Sequence, residues 1–96
     1  MIGSTLVFTP LASQAAVAYT GTAAASAAIG AQTTVVRIVC SSDAFIALST
    51  AGTAATTSGI FMPAGKVEYF RVQTGTKISA VQNSAGGNMY VTEMDL

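Results

Sequence analysis

No histidine occurs among the 96 residues, so the commonest general base and metal-ligating side chain is missing. What remains for chemistry is Cys40, the carboxylates Asp43, Glu68, Glu93 and Asp95, and the cations Arg37, Lys66, Arg71 and Lys77. A lone cysteine without an imidazole lacks a base to make it a thiolate nucleophile. Its place at the end of an apolar run reads as a small core side chain. One cysteine excludes an intrachain disulfide, fits assembly in a reducing cytosol and, with no histidine, excludes structural zinc. Glu68 and Glu93, one on each of two expected strands, would be the candidates for a glycosidase-like carboxylate pair. The plainer reading is that they are solvated or paired with Lys66, Arg71 or Lys77. Glu93 and Asp95, at i and i+2, are a very weak calcium signal. The glycine-rich stretch 83–88 joins two strands and opens no helix, so it is not read as a phosphate cradle. No catalytic, cofactor or metal site is expected.

Arg37 and Arg71 each stand mid-strand among apolar residues, in VVRIV and YFRV. One reading is a solvent-facing residue in a half-buried strand. The other is an arginine at an intersubunit contact, where arginine is enriched and pairs bidentately with carboxylates. Composition bears on that choice. Charged residues make up only 8% of the chain and hydrophobic residues 51%, where an ordinary soluble domain carries about 25% charged. A small domain has much surface per residue, so so few charges imply a surface covered by other protein. Four basic residues balanced by four acidic ones leave no electrostatic footprint for nucleic acid. The uncharged span from Ile2 to Val36 is interrupted too often by Ser, Thr, Gln, Gly and Pro to cross a membrane. It also lacks the basic n-region and compact apolar h-region of a secretory leader.

The elements that must position these residues read as strands. Residues 59–94 carry most of the large apolar side chains and five of the eight charges, punctuated as strand, turn, strand, turn, strand, turn, strand. Pro63-Ala64-Gly65 and Gln73-Thr74-Gly75 have the composition of tight turns, the second closing a hairpin, and Gly86-Gly87 is the strongest flexible signal. Short connections of this kind predict a C-terminal antiparallel meander. Upstream, Thr33 to Cys40 predicts a strand with Val35, Arg37 and Val39 on one face and Val36, Ile38 and Cys40 on the other. Ala44 to Ser49 is expected to return as its hairpin partner, and residues 50–58 to form a polar loop that is mobile or touches a partner. Ser4 to Thr9, ended by Pro10, and Ala16 to Thr20 read as further strands. Ala23 to Ala28 is too short to hold a helix alone. The expectation is one all-β domain, 1–96. It would be a small antiparallel β-sandwich or barrel, jelly-roll-like, with a C-terminal meander. Residues 1–20 would form an N-terminal arm or added strand. Within it, Leu6, Val7 and Phe8 are a β-prone triplet expected to pair with a sheet edge of its own or a neighbouring subunit.

The run FMPAGKVEYFRVQTGTKISAVQNSAGGNMYVTEM, preceded by AIGAQTTVVRIVCSSDAFIALST, resembles small proteins encoded in the structural-gene regions of tailed bacteriophages. The landmarks are the strand around Arg37, the turn at Pro63-Ala64-Gly65, the EYFRV at Glu68 to Val72 and the SAGG at Ser84 to Gly87. Some such proteins are similar to capsid decoration or cement proteins, all-β and bound outside the head shell. The resemblance implies a virion structural protein assembled in the host cytoplasm. It also implies a homo-oligomer, dimer or trimer, partnered by the major capsid protein or other virion subunits. No catalytic residue is carried over. The other readings are a head–tail or tail component, or a saccharide-binding β module with Tyr69, Phe70 or Tyr90 as stacking platforms.

Overall fold

Residues 8–95 are described by the computed structural model, and they are all-β. Period-two alternation is clearest in β4 (Val35–Cys40), where Val36, Ile38 and Cys40 are fully buried. Its β-branched side chains are stiff and pack well on a pleated surface, which holds the segment extended. β5 (Ala44–Ser49) buries Ala44 and Ile46 in the same way. β8 (Lys77–Gln82) and β9 (Gly87–Asp95) complete the central pairs. The flanking strands are β1 (Thr9–Ser13), β2 (Val17–Tyr19), β3 (Ala24–Ala25), β6 (Ile60–Met62) and β7 (Val67–Arg71).

These strands form two antiparallel sheets. One has the order β1–β9–β4–β7, with β2 also on β9, and the other has the order β3–β8–β5–β6. Leaving β1 aside, the pairs nest: β2 with β9, β3 with β8, β4 with β7, β5 with β6. The chain is thus one long antiparallel ribbon, rolled so that β9 meets β4 and β8 meets β5. That is the order of a jelly roll. Between the sheets lie Tyr19, Ile38, Ile46, Met62, Ile78, Met89 and Val91. Each large aliphatic side chain buried there stabilises the fold by about 1.5–3 kcal/mol.

The C-terminal meander is not what forms. β6, β7, β8 and β9 lie where the sequence puts strands, but consecutive ones alternate between the two sheets and do not pair. The turns themselves are tight, as expected. Lys66 N–H donates to Pro63 O at 3.2 Å and Thr76 N–H to Gln73 O at 3.1 Å, with Gly65 and Gly75 at φ of 75° and 85°. They carry the chain across the core to the other sheet, because each flanking strand has an apolar face to bury there. For the same reason β4 and β5 are not a hairpin.

Two further expectations also shift. Pro10 does not end a strand but lies within β1, which pairs only with β9 and slips register between Pro10 and Ala12. An edge strand tolerates a residue with no N–H to donate. The 50–58 loop is anchored at its middle. Ala55 is buried and its N–H donates to the Ser79 hydroxyl at 2.9 Å, laying the loop on the outside of the second sheet.

Candidate interaction surface

The residues with chemical potential are drawn into structural roles. Glu68 on β7 aligns with Ile38, and Glu93 on β9 with Val36, so the two acids stand on either side of β4. Strands two apart are separated by about 9.5 Å, and here the buried Val36 and Ile38 intervene. The register offsets Glu68 and Glu93 by two further residues along the strands, about 7 Å, so the fold does not bring the two acids together. The Glu93 carboxylate instead accepts from Thr33 Oγ1 at 2.7 Å, Gly30 N–H at 3.0 Å and Gln14 Nε2 at 3.1 Å. Burial pushes its pKa up, but these three bonds outweigh burial and leave the carboxyl below its ordinary value. Glu93 thus pins the 28–33 segment to the end of β9. Asp43 Oδ1 accepts from Ala64 N–H at 2.8 Å, tying the β6–β7 turn to the β4–β5 corner. Cys40 is a buried free thiol. Burial raises its pKa, and a hydrogen bond with Tyr19 opposes the rise in part. Among the described residues no group of three or more acids and cysteines stands close enough to hold a metal ion. No described helix is long and apolar enough to cross a membrane.

Tyr19 is a buried hub, although sequence reasoning placed it only on a strand and expected the first twenty residues to add little to the core. Its hydroxyl donates to Ser42 O at 2.6 Å and accepts from Ser42 N–H at 3.2 Å. Ser42 Oγ in turn lies 3.1 Å from Gly86 O. A Cβ on Gly87 would overlap Ser42 Oγ and sit 2.8 Å from both Ser41 Oγ and Tyr19 Oη. The glycine pair is therefore there for close packing rather than for flexibility.

What the fold leaves uncovered is apolar. The large hydrophobic side chains most exposed among the described residues are Leu11, Ile60, Phe61, Val67, Tyr69 and Tyr90, at 37–50% of their surface. Four of the six lie on β6 and β7, the paired edges along one flank of the sandwich. The register adds Tyr90 to the same neighbourhood. Val39 is flanked by Tyr90 and Val67, and Arg37 by Thr92 and Tyr69, all on the outward side of the first sheet. Arg37 is half-buried in that face and Arg71 is exposed on the edge strand, so the fold brings both arginines to one surface. Phe8 joins them, its ring stacked on Tyr69 with centroids 5.2 Å apart. Leu6 and Val7 lie outside the described residues. Tyr69 and Tyr90 stand exposed, whereas Phe70 turns inward against the core. Phe61 leans on Phe45 at 5.3 Å across β5 and β6. The exposure of Ile60 and Phe61 escaped sequence reasoning, since a short apolar run looks the same at an edge as in a core.

The opposite flank differs. A groove of about 450 Å3 opens there between β2 and β3, lined by Gln14, Val17 and alanines. It offers small side chains and little charge. Comparison with known protein families, curated proteins and solved structures finds no match to this chain.

Proposed function

We propose that this chain is a structural subunit of a virus particle, a capsid decoration protein that stabilises the head shell by subunit contacts. The observation that carries this reading is the β6–β7 flank, with Ile60, Phe61, Val67 and Tyr69 open to solvent on a chain with four basic and four acidic residues. Large apolar side chains left open along one flank, interspersed with Glu68 and Arg71, favour contact with protein over contact with water. The likeness of residues 25–95 to small phage structural proteins supplies the setting, with the major capsid protein as the proposed partner. The mechanism is adhesive. Apolar burial contributes about 25 cal/mol per Å2 at each contact, and many copies on a shell multiply it. Imaging particles with and without the protein tests this. Density on the outer head surface is expected, and protein confined to the tail would replace this reading with a tail or head–tail component.

A second reading rests on a separate observation. Tyr69 and Tyr90 are both about half exposed on one sheet face, beside Arg37 and Arg71. Aromatic faces of this kind stack on sugar rings. Glycan-array binding abolished by Tyr90→Ala, in a chain that does not bind heads, would favour it.

A further inference from the structure

Of the edge strands, β7 is the one built to accept another strand. Val72 N–H donates to Thr34 O at 2.9 Å, which fixes the alternation of the β4–β7 ladder. Glu68 and Phe70 then bond to β4, while the N–H and C=O groups of Val67, Tyr69 and Arg71 face away from it. No described strand lies on that side. β7 has five residues, with no proline and no register slip along its pairing with β4. The other described edges are blunted: β1 by Pro10 and its slip, and β2, β3 and β6 by lengths of three, two and three residues.

We infer that the β7 edge is a self-pairing interface, on which a second copy lays its own β7 antiparallel about a two-fold axis through Tyr69. This deepens the reading of the chain as an assembly subunit and rests on that reading for its purpose. The charges and the ends of β7 together choose occupant and register. An axis through Glu68 would set two carboxylates face to face, and one through Arg71 two guanidiniums. An axis through Val67 would run the strand into the turn at Gly65, and one through Phe70 would set Val67 against Gln73 in the next turn and lose the two bonded pairs of Val67. With Tyr69 at the axis no like charges are opposed. Glu68 faces Phe70 of the second copy, and Arg71 faces its Val67. Tyr69 meets Tyr69, and each outward-facing pair exchanges two backbone bonds. Val67 and Tyr69 lose part of their exposure, and the pairing closes the free edge of the first sheet on that flank, where β6 remains the edge of the second.

Sedimentation of the full chain over a concentration series tests this, with Tyr69→Pro as the variant. The proline deletes an outward N–H and costs no bond to β4. Dimers are expected in the parent chain, with dissociation about 30-fold or more easier in the variant, for two lost bonds per dimer. Leu11→Ser, on the other flank, is expected to dimerise like the parent. If circular dichroism shows the proline variant unfolded, amide exchange in the parent decides: Tyr69 must slow as concentration rises. A parent that stays monomeric overturns the inference, as does a folded Tyr69→Pro that dimerises normally or a Tyr69 amide indifferent to concentration. Head binding is scored separately, so a dimer that ignores heads supports self-pairing and overturns only the decoration reading.

Discussion

The two open flanks of this sandwich solve the same problem in opposite ways. On one, β1, β2 and β3 are short strands that expose small side chains and a single large apolar one, Leu11. Pro10 and a register slip interrupt the longest of them, and Glu93 ties the neighbouring segment down. On the other, β6 and β7 carry Ile60, Phe61, Val67 and Tyr69 into solvent, and β7 runs regular and unblunted. A protein that avoided edge contacts altogether would have blunted both. That only one is cut short is the ground for directing the proposed contact to β7, and the few charges do not set this flank apart, since Glu68 and Arg71 stand on β7 while β1, β2 and β3 carry none.

Mutations can break that comparison. The largest effect is expected at the corner that locks the blunted flank. Gly87→Ala must displace Ser41, Ser42 or Tyr19, at a cost of about 2–4 kcal/mol, read as a lowered urea midpoint. Glu93→Gln comes next. It keeps the shape but weakens three hydrogen bonds to a charged acceptor, costing about 1–2 kcal/mol. It carries a pH signature too. Glu93's folded value lies below its ordinary 4.5, so the stability it lends is full above that value. That stability is lost as pH falls through the lowered folded value. Acid titration of the parent should show this loss, and Glu93→Gln should lack it. Deleting residues 1–10 removes Phe8 from Tyr69 and the first two residues of β1. The deletion is expected to leave both sheets folded by circular dichroism while weakening assembly. The smallest stability effect belongs to the apolar flank: Ile60→Ser with Phe61→Ser should stay within about 0.5 kcal/mol per site. Light scattering of the same variant should nonetheless show less association, because stability and contact are separated there.

Most strands were legible in the sequence, since alternation at Val35–Cys40 and the two Gly-containing turns are local signals, but β1 begins where a strand was expected to end and β3 was not foreseen. The strands' partners were not legible. A tight turn at Gly65 or Gly75 has the same composition whether it closes a hairpin or crosses between sheets, and only the burial of both sheets' inner faces decides. Arg37 and Arg71 could be placed on strands, but that they share one face with Tyr69 depends on the pairing of β4 with β7. Tyr19 could be read as a strand residue, but its bond to Ser42 spans 23 residues and leaves no mark at either end. Glu93 looked like an acid awaiting a cation because Gly30 and Thr33, its donors, carry no charge to advertise the contact.

The central claim is that contact is directed to the β7 flank and away from the β1 flank. Residue-resolved hydrogen exchange, on the full chain at low and high concentration, tests it most directly. The amides of Val67, Tyr69 and Arg71 should gain protection of about tenfold or more with concentration, while those of β1 stay unchanged. Protection that rises equally on both flanks, or on β1 alone, would contradict it.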